Sequence, residues 1–173
     1  MQNTISEAYR KEQEKLHENP HYGTASVQFA PIVSRIVNAN DITELLDYGC
    51  GKMRLFENLK ADHPVKLQAY DPAIPALSSE PVPMQMVTCI DVLEHIEPDL
   101  IDNVLDHLQK LTLEIGFFTI HTGAAMKTLS DGRNAHLIQE GAEWWLPKLL
   151  ARFELQAFQK VEHGFYVVVT AKE

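Results

Sequence analysis

The stretch Leu45-Leu46-Asp47-Tyr48-Gly49-Cys50-Gly51-Lys52-Met53 decides the fold. An apolar run ends in an acid, turns on two glycines and leads into a helical segment at 54–60: strand, tight turn, helix. Glycine suits such a turn because a side chain would hold the backbone away from a bound ligand. The helix start behind it offers N–H groups to the polar part of that ligand. Working outward, residues 66–71 read as a second strand ending in an acid, Asp71, 24 residues after Asp47. An acid there can take both ribose hydroxyls of a nucleoside. Residues 84–90 read as a third strand that runs into Asp91-Val92-Leu93-Glu94-His95-Ile96.

Before this centre, residues 6–18 read as a polar helix capped by Ser6, with sparse apolar positions at Ala8, Tyr9 and Leu16, so it suits the mouth of a domain. Asn19-Pro20-His21-Tyr22-Gly23 breaks it. A second helix, capped by Thr24, runs to about residue 37 with apolar residues at helical spacing and Pro31 in its interior. After the second strand, residues 71–83 carry four prolines, Pro72, Pro75, Pro81 and Pro83, which leave room for a short helical turn at most. A helix at 98–111 follows the third strand, capped by Asp99, with its apolar stripe at Leu100, Ile101, Val104, Leu105, Leu108 and Leu111. Residues 114–121 form a strand, 122–137 a long polar loop, 142–153 a helix, and 155–161 with 164–171 a closing hairpin. The expectation is an α/β fold: one doubly wound, Rossmann-like, mostly parallel sheet, trimmed around the usual third strand, with a C-terminal antiparallel hairpin. Residues 1–22 form a helical lid segment and 23–173 the domain.

A chain of 173 residues supports one domain with a real core. No apolar run reaches the roughly 18 residues of a membrane span, and the first residues lack the basic-then-apolar order of a secretory signal. Two cysteines, Cys50 and Cys89, give neither a disulfide framework nor metal spacing, so a reducing, cytoplasmic setting is expected. The net charge of −9 disfavours a broad nucleic-acid surface and leaves room for a small local contact.

Asp-x-Gly-Cys-Gly after a strand, an acid ending the next strand, and Val87-Thr88-Cys89-Ile90-Asp91-Val92-Leu93-Glu94-His95-Ile96 together resemble the class I S-adenosylmethionine-dependent methyltransferases of type 11/12. The last tract is similar to the fourth-strand motif of the ubiquinone-biosynthesis O-methyltransferases. The resemblance covers about residues 25–173. It implies S-adenosylmethionine as cofactor. It further implies a cofactor site formed by Asp47, Gly49, Cys50, Gly51, Asp71, Pro72, Cys89, Ile90 and Asp91, with Asp71 on the ribose and the last three near the reacting methyl. Two departures stand out: Met53 replaces the family's third glycine, and the strand that would supply an acid near the adenine has no counterpart.

Methyl transfer needs alignment and, for a hydroxyl acceptor, a base. His95, at the end of a central strand, is the first candidate base; it also reads as a cap of the following turn. Asp91, Glu94 and His95 share a face if their segment makes a helical turn. His136, or alternatively His121, could add a further ligand to hold Mg²⁺, Mn²⁺ or Zn²⁺. This set is similar to the metal site of small-RNA 3′-terminal 2′-O-methyltransferases, with Asp91 in place of their first Glu. Arg133 and Asn134 are the candidate acceptor-binding residues, Arg133 as an anion clamp, against a plain Asp-Gly turn. Trp144 and Trp145 read as one core and one partly exposed ring. His17, His21 and Tyr22 are candidate lid residues; His63, His107 and His163 read as surface or turn residues. The expected function is O-methylation of a small metabolite or sugar-like acceptor. Competing readings are a metal-assisted RNA ribose 2′-O-methyltransferase and a cofactor-binding protein without methyl transfer.

Overall fold

The computed structural model describes residues 3–19 and 23–172; His21 and Tyr22, expected in the lid, lie outside them. The elements are α1 (Glu7–His17), α2 (Ser26–Ala39), β1 (Glu44–Tyr48), α3 (Arg54–Asn58), β2 (Lys66–Tyr70), β3 (Met84–Ile90), α4 (Ile101–Leu111), β4 (Thr112–His121), α5 (Ala142–Leu150), β5 (Phe153–Val161) and β6 (Gly164–Ala171). One six-stranded sheet has the order β2-β1-β3-β4-β6-β5. The first four strands pair in parallel and the β5–β6 hairpin adds two antiparallel strands.

Alternation along the strands divides the core between the two faces of the sheet. Leu46, Tyr48, Val87, Cys89 and Phe118 pack with α4 and α5. Leu45, Met86, Ile90 and Phe117 pack with α2 and α3. No helix among the described residues is long and apolar enough to cross a membrane.

The trimmed region is as expected: between β2 and β3 there is only a 3₁₀ turn, Pro75–Leu77. His107 departs from its expected surface position. Its ring stands edge-on to Tyr48 and Tyr70 at 5.5 and 6.0 Å, and its Nδ1 lies 3.0 Å from the Tyr48 hydroxyl. With no helix after β2 to cover these tyrosines, α4 supplies a polar ring that satisfies the buried hydroxyl.

Local boundaries differ in four places. Thr24 does not cap α2; Ala25 precedes the helix without a side-chain bond, and Thr24 offers only its carbonyl to Val27. Asp99 lies in a 3₁₀ turn, Pro98–Leu100, that feeds α4 directly, so no side chain is needed as a cap. Strand β4 starts at Thr112. Helix α5 ends at Leu150, and Pro147 is its sixth residue rather than part of its first turn. Ser6 does cap α1, accepting from the Tyr9 N–H. Trp145 is fully buried and Trp144 half-buried, as expected.

Candidate functional site

In an open α/β sheet, ligands bind beyond the carboxyl ends of the strands where the strand order reverses, here between β1 and β3. A cleft of about 100 Å³ opens at that point. Asp47, Gly49, Cys50, Gly51, Asp71, Pro72, Asp91 and His95 all line it. Cys89 and Ile90 do not: they are buried on opposite faces of the sheet. Met53 points outward, 40% exposed, in a left-handed conformation, and does not narrow the cleft.

The turn is tighter than its sequence implies. The Gly49 and Cys50 N–H groups both donate to the Tyr70 carbonyl, and the Gly51 N–H donates to Asp71 Oδ2 at 3.1 Å. The N–H groups of the turn itself are therefore committed within the fold, and the turn acts as a close-approach surface. Gly49 has φ +74°, and a Cβ there would lie 2.5 Å from the Val92 side chain. Asp71 also accepts from the Ala73 N–H and lies 3.7 Å from His17 Nε2.

Asp47 is buried beneath the turn, accepting from the Thr88 hydroxyl at 2.8 Å. Burial, opposed by that bond, raises its pKa to about 7. The folded state thus holds the proton more tightly than the unfolded chain between the ordinary carboxylate range and pH 7. Its contribution is fully present below that window and is lost as pH rises through it. Asn at 47 can keep the Thr88 bond without titrating. Asp47→Asn is therefore more stable than the parent at pH 8 and equal to it at acid pH, as checked by urea midpoints at both.

The second constellation is the expected one. Residues 93–95 form a 3₁₀ turn, and ligand atoms of Asp91, Glu94, His95 and His136 all lie within 4.8 Å of one another. Each histidine is tethered through Nδ1, His95 to the Ala135 carbonyl at 2.9 Å and His136 to the Gly123 carbonyl at 2.7 Å. A carbonyl only accepts, so Nδ1 carries the proton and Nε2 the lone pair in both rings. That is the tautomer a metal ligand needs, held by outer-shell partners. Glu94 is fully buried. Its Oε1 accepts from the His121 N–H at 2.8 Å, and its Oε2 has no hydrogen-bond partner. Burial first and the neighbouring Asp91 charge second push its pKa well up. Burial lowers His95 to about 4. A two-imidazole, two-carboxylate set with an orphaned buried oxygen fits Zn²⁺ or Mn²⁺. His121, the alternative ligand, stands beside His136 at 4.7 Å between ring centroids and outside the set.

Arg133 and Asn134 line neither the cleft nor the cluster. Arg133 pairs with Asp131 at 2.6 Å and lies over the Tyr9 ring. Asn134 braces the loop that presents His136, bonding both the N–H and carbonyl of Ala125 and the His136 N–H.

Helix α1 lies over this site. Ser6 bonds Glu97 through its N–H and hydroxyl. The Tyr9 hydroxyl donates to the His95 carbonyl, and Glu12 accepts from Ser130. Lys52 holds the carbonyls of His17 and Asn19. Tyr9, Gln13 and His17 line the cleft; the i, i+4, i+8 spacing was the available signal for Tyr9 and Gln13, which sequence reasoning missed.

No protein-family model matches the chain, and comparison with curated proteins gives no match. Solved structures do match. One is a Burkholderia thailandensis 1,6-didemethyltoxoflavin-N1-methyltransferase with bound 1,6-didemethyltoxoflavin and S-adenosylhomocysteine: 15% identity and TM-score 0.70, over 100% of this chain and 94% of that one. A second is DhpI in complex with SAH, at 17% identity and 0.63, over 96% and 98%. A third is the small RNA methyltransferase HEN1, at 14% and 0.60, over 84% of this chain and 25% of that one. At these identities the likeness establishes the fold.

Proposed function

We propose that the chain is an S-adenosylmethionine-dependent methyltransferase acting on a hydroxyl of a small, sugar-like acceptor, with residues 1–22 as its lid. The observation that carries this is one cleft, at the switch point of this fold, lined together by the Asp47–Gly51 turn, Asp71 and Asp91. The residues fit the cofactor: a turn without side chains at Gly49 and Gly51, and an acid at the end of β2 for a ribose. When bound, the cofactor supplies an electrophilic methyl on a sulfonium. The chain's part is to bind, orient and exclude water. With α1 in place the cleft is smaller than the roughly 300 Å³ or more of a typical ligand site, so α1 must move to admit the cofactor, which supports the lid.

A base suited to neutral pH titrates near it. His95, held at about 4, suits a lone-pair ligand better than a general base, and His136 shares its tethered arrangement. This favours a metal-assisted variant in which Asp91, Glu94, His95 and His136 would hold a divalent ion, which would supply Lewis-acid chemistry to an acceptor oxygen. An RNA end is the less favoured acceptor, because no Lys or Arg among the described residues lines the cleft.

Calorimetry with S-adenosylhomocysteine, followed by methyl-transfer assays on hydroxylated acceptors, tests the proposal. Binding plus transfer supports it. Binding without transfer to any acceptor favours a cofactor-binding protein, and absence of binding overturns both.

A further inference from the structure

A second cavity, about 150 Å³, opens between the N-terminal turn of α2, the end of β4 and the tip of the β5–β6 hairpin. Among the lining residues of the two spaces, Asp91 alone is common to both. A ligand in this cavity and one in the cleft would therefore meet across Asp91. A space of this volume admits only a compact ligand.

The two sides of the cavity differ in chemistry. One is mainly apolar, made by Ala25 and the buried ring of Phe29 with the Gln28 amide between them. The other carries Asp91, His121, Glu162 and His163, the two imidazoles stacked at 5.4 Å and 21°. No Lys or Arg among the described residues lines it; Lys160 lines the adjoining open pocket that shares His121, Glu162 and His163. Arg133, the one cation the sequence offered as an anion clamp, is neutralised by Asp131 elsewhere. An anion entering this space would meet two carboxylates, Asp91 and the largely exposed Glu162, with only the imidazoles and the neutral Gln28 and Thr119 side chains to offset them. Hydroxyls and protonated amines meet acceptors there, and the CH face of a ring meets Phe29. Rejection of anions is thus built into the wall as well as acceptance of neutral ligands.

We infer that this cavity is the acceptor subsite and that it takes a compact hydroxylated molecule free of negative charge, an amine being favoured. The inference rests on the methyltransferase reading for what the ligand is used for, and on the cavity alone for what binds. The test follows the ring protons of His121 and His163 by NMR while glucosamine, glucose, glucose 6-phosphate and glucuronate are each added to the full chain. Glucosamine and glucose should shift them, glucosamine at the lower concentration; the two anions should not. Ala25→Trp should erase the shifts and leave S-adenosylhomocysteine affinity unchanged, and Glu162→Lys should reverse the order of glucosamine and glucose 6-phosphate. Equal response to the anions, or no response to any of the four, overturns the inference. Failure of S-adenosylhomocysteine to bind while the rings still respond would remove the methyltransferase reading and leave the subsite standing.

Discussion

Gly49→Ala abolishes binding of S-adenosylhomocysteine and destabilises the fold by about 2–5 kcal/mol, combining about 1–2 for a left-handed backbone with a side chain and about 1–3 for overpacking. The position is doubly constrained, by φ +74° and by the Val92 methyl that a Cβ would meet at 2.5 Å. Relief requires the turn to lift, which displaces the Gly49–Gly51 wall of the cleft, or residues 91–93 to retreat, which displaces Asp91. Gly132→Ala is the control. It has φ +90° with nothing within 4 Å, so it carries the backbone cost alone and lies in the loop rather than the cofactor turn. Urea denaturation separates the two variants, and calorimetry should find cofactor binding intact only in Gly132→Ala. Equal behaviour would mean that the close approach at Gly49 has no functional weight.

Mn²⁺ or Zn²⁺ at a hundred times its dissociation constant stabilises the protein by about 2.7 kcal/mol, a rise in melting temperature of about 5–10 °C for a chain of this size. Glu94→Gln removes that response while raising stability in the absence of metal. The amide oxygen can still accept from the His121 N–H. The amide nitrogen can donate towards Asp91, whose charge adds to burial in holding the Glu94 carboxyl well above its usual range. Glu94→Ala is destabilising under both conditions, since it leaves a buried N–H unpaired. The opposite signs of the Gln and Ala variants separate a ligand from a structural carboxylate. A melting temperature indifferent to Mg²⁺, Mn²⁺ and Zn²⁺ would end the metal reading.

Much of this was legible because it is local or periodic. The Asp47–Gly51 turn, the acid at Asp71, the proline-rich gap after it and the hairpin around Gly164 are each written within a few residues. The meeting of Asp91, Glu94 and His95 follows from one helical turn. His136 was less secure, since only the folded loop and its Asn134 brace bring it across 40 residues of chain. Helix caps were misread at Thr24 and Asp99 because both helices begin through a preceding backbone turn, which leaves no mark in side-chain chemistry. Arg133 was read without its partner: Asp131, two residues away, holds the guanidinium in this structure. His107 was placed by an absence, the missing helix after β2, and an absence has no sequence period.

The docking of α1 has a further consequence, for the order in which the chain takes shape. Its bonds to Glu97, His95 and Ser130 span 91, 86 and 118 residues. A helix made early during synthesis thus has only its C-terminal contacts to Lys52 and Asp71 until the loop beyond β4 has been made. Closing such long loops is slow, and contacts of this kind form late in folding. Helix α1, held by these bonds and by the small apolar cluster of Ile5, Tyr9, Leu129 and Ala135, is then the last element to arrive. The half-made chain exposes an open cleft, and the finished one closes it.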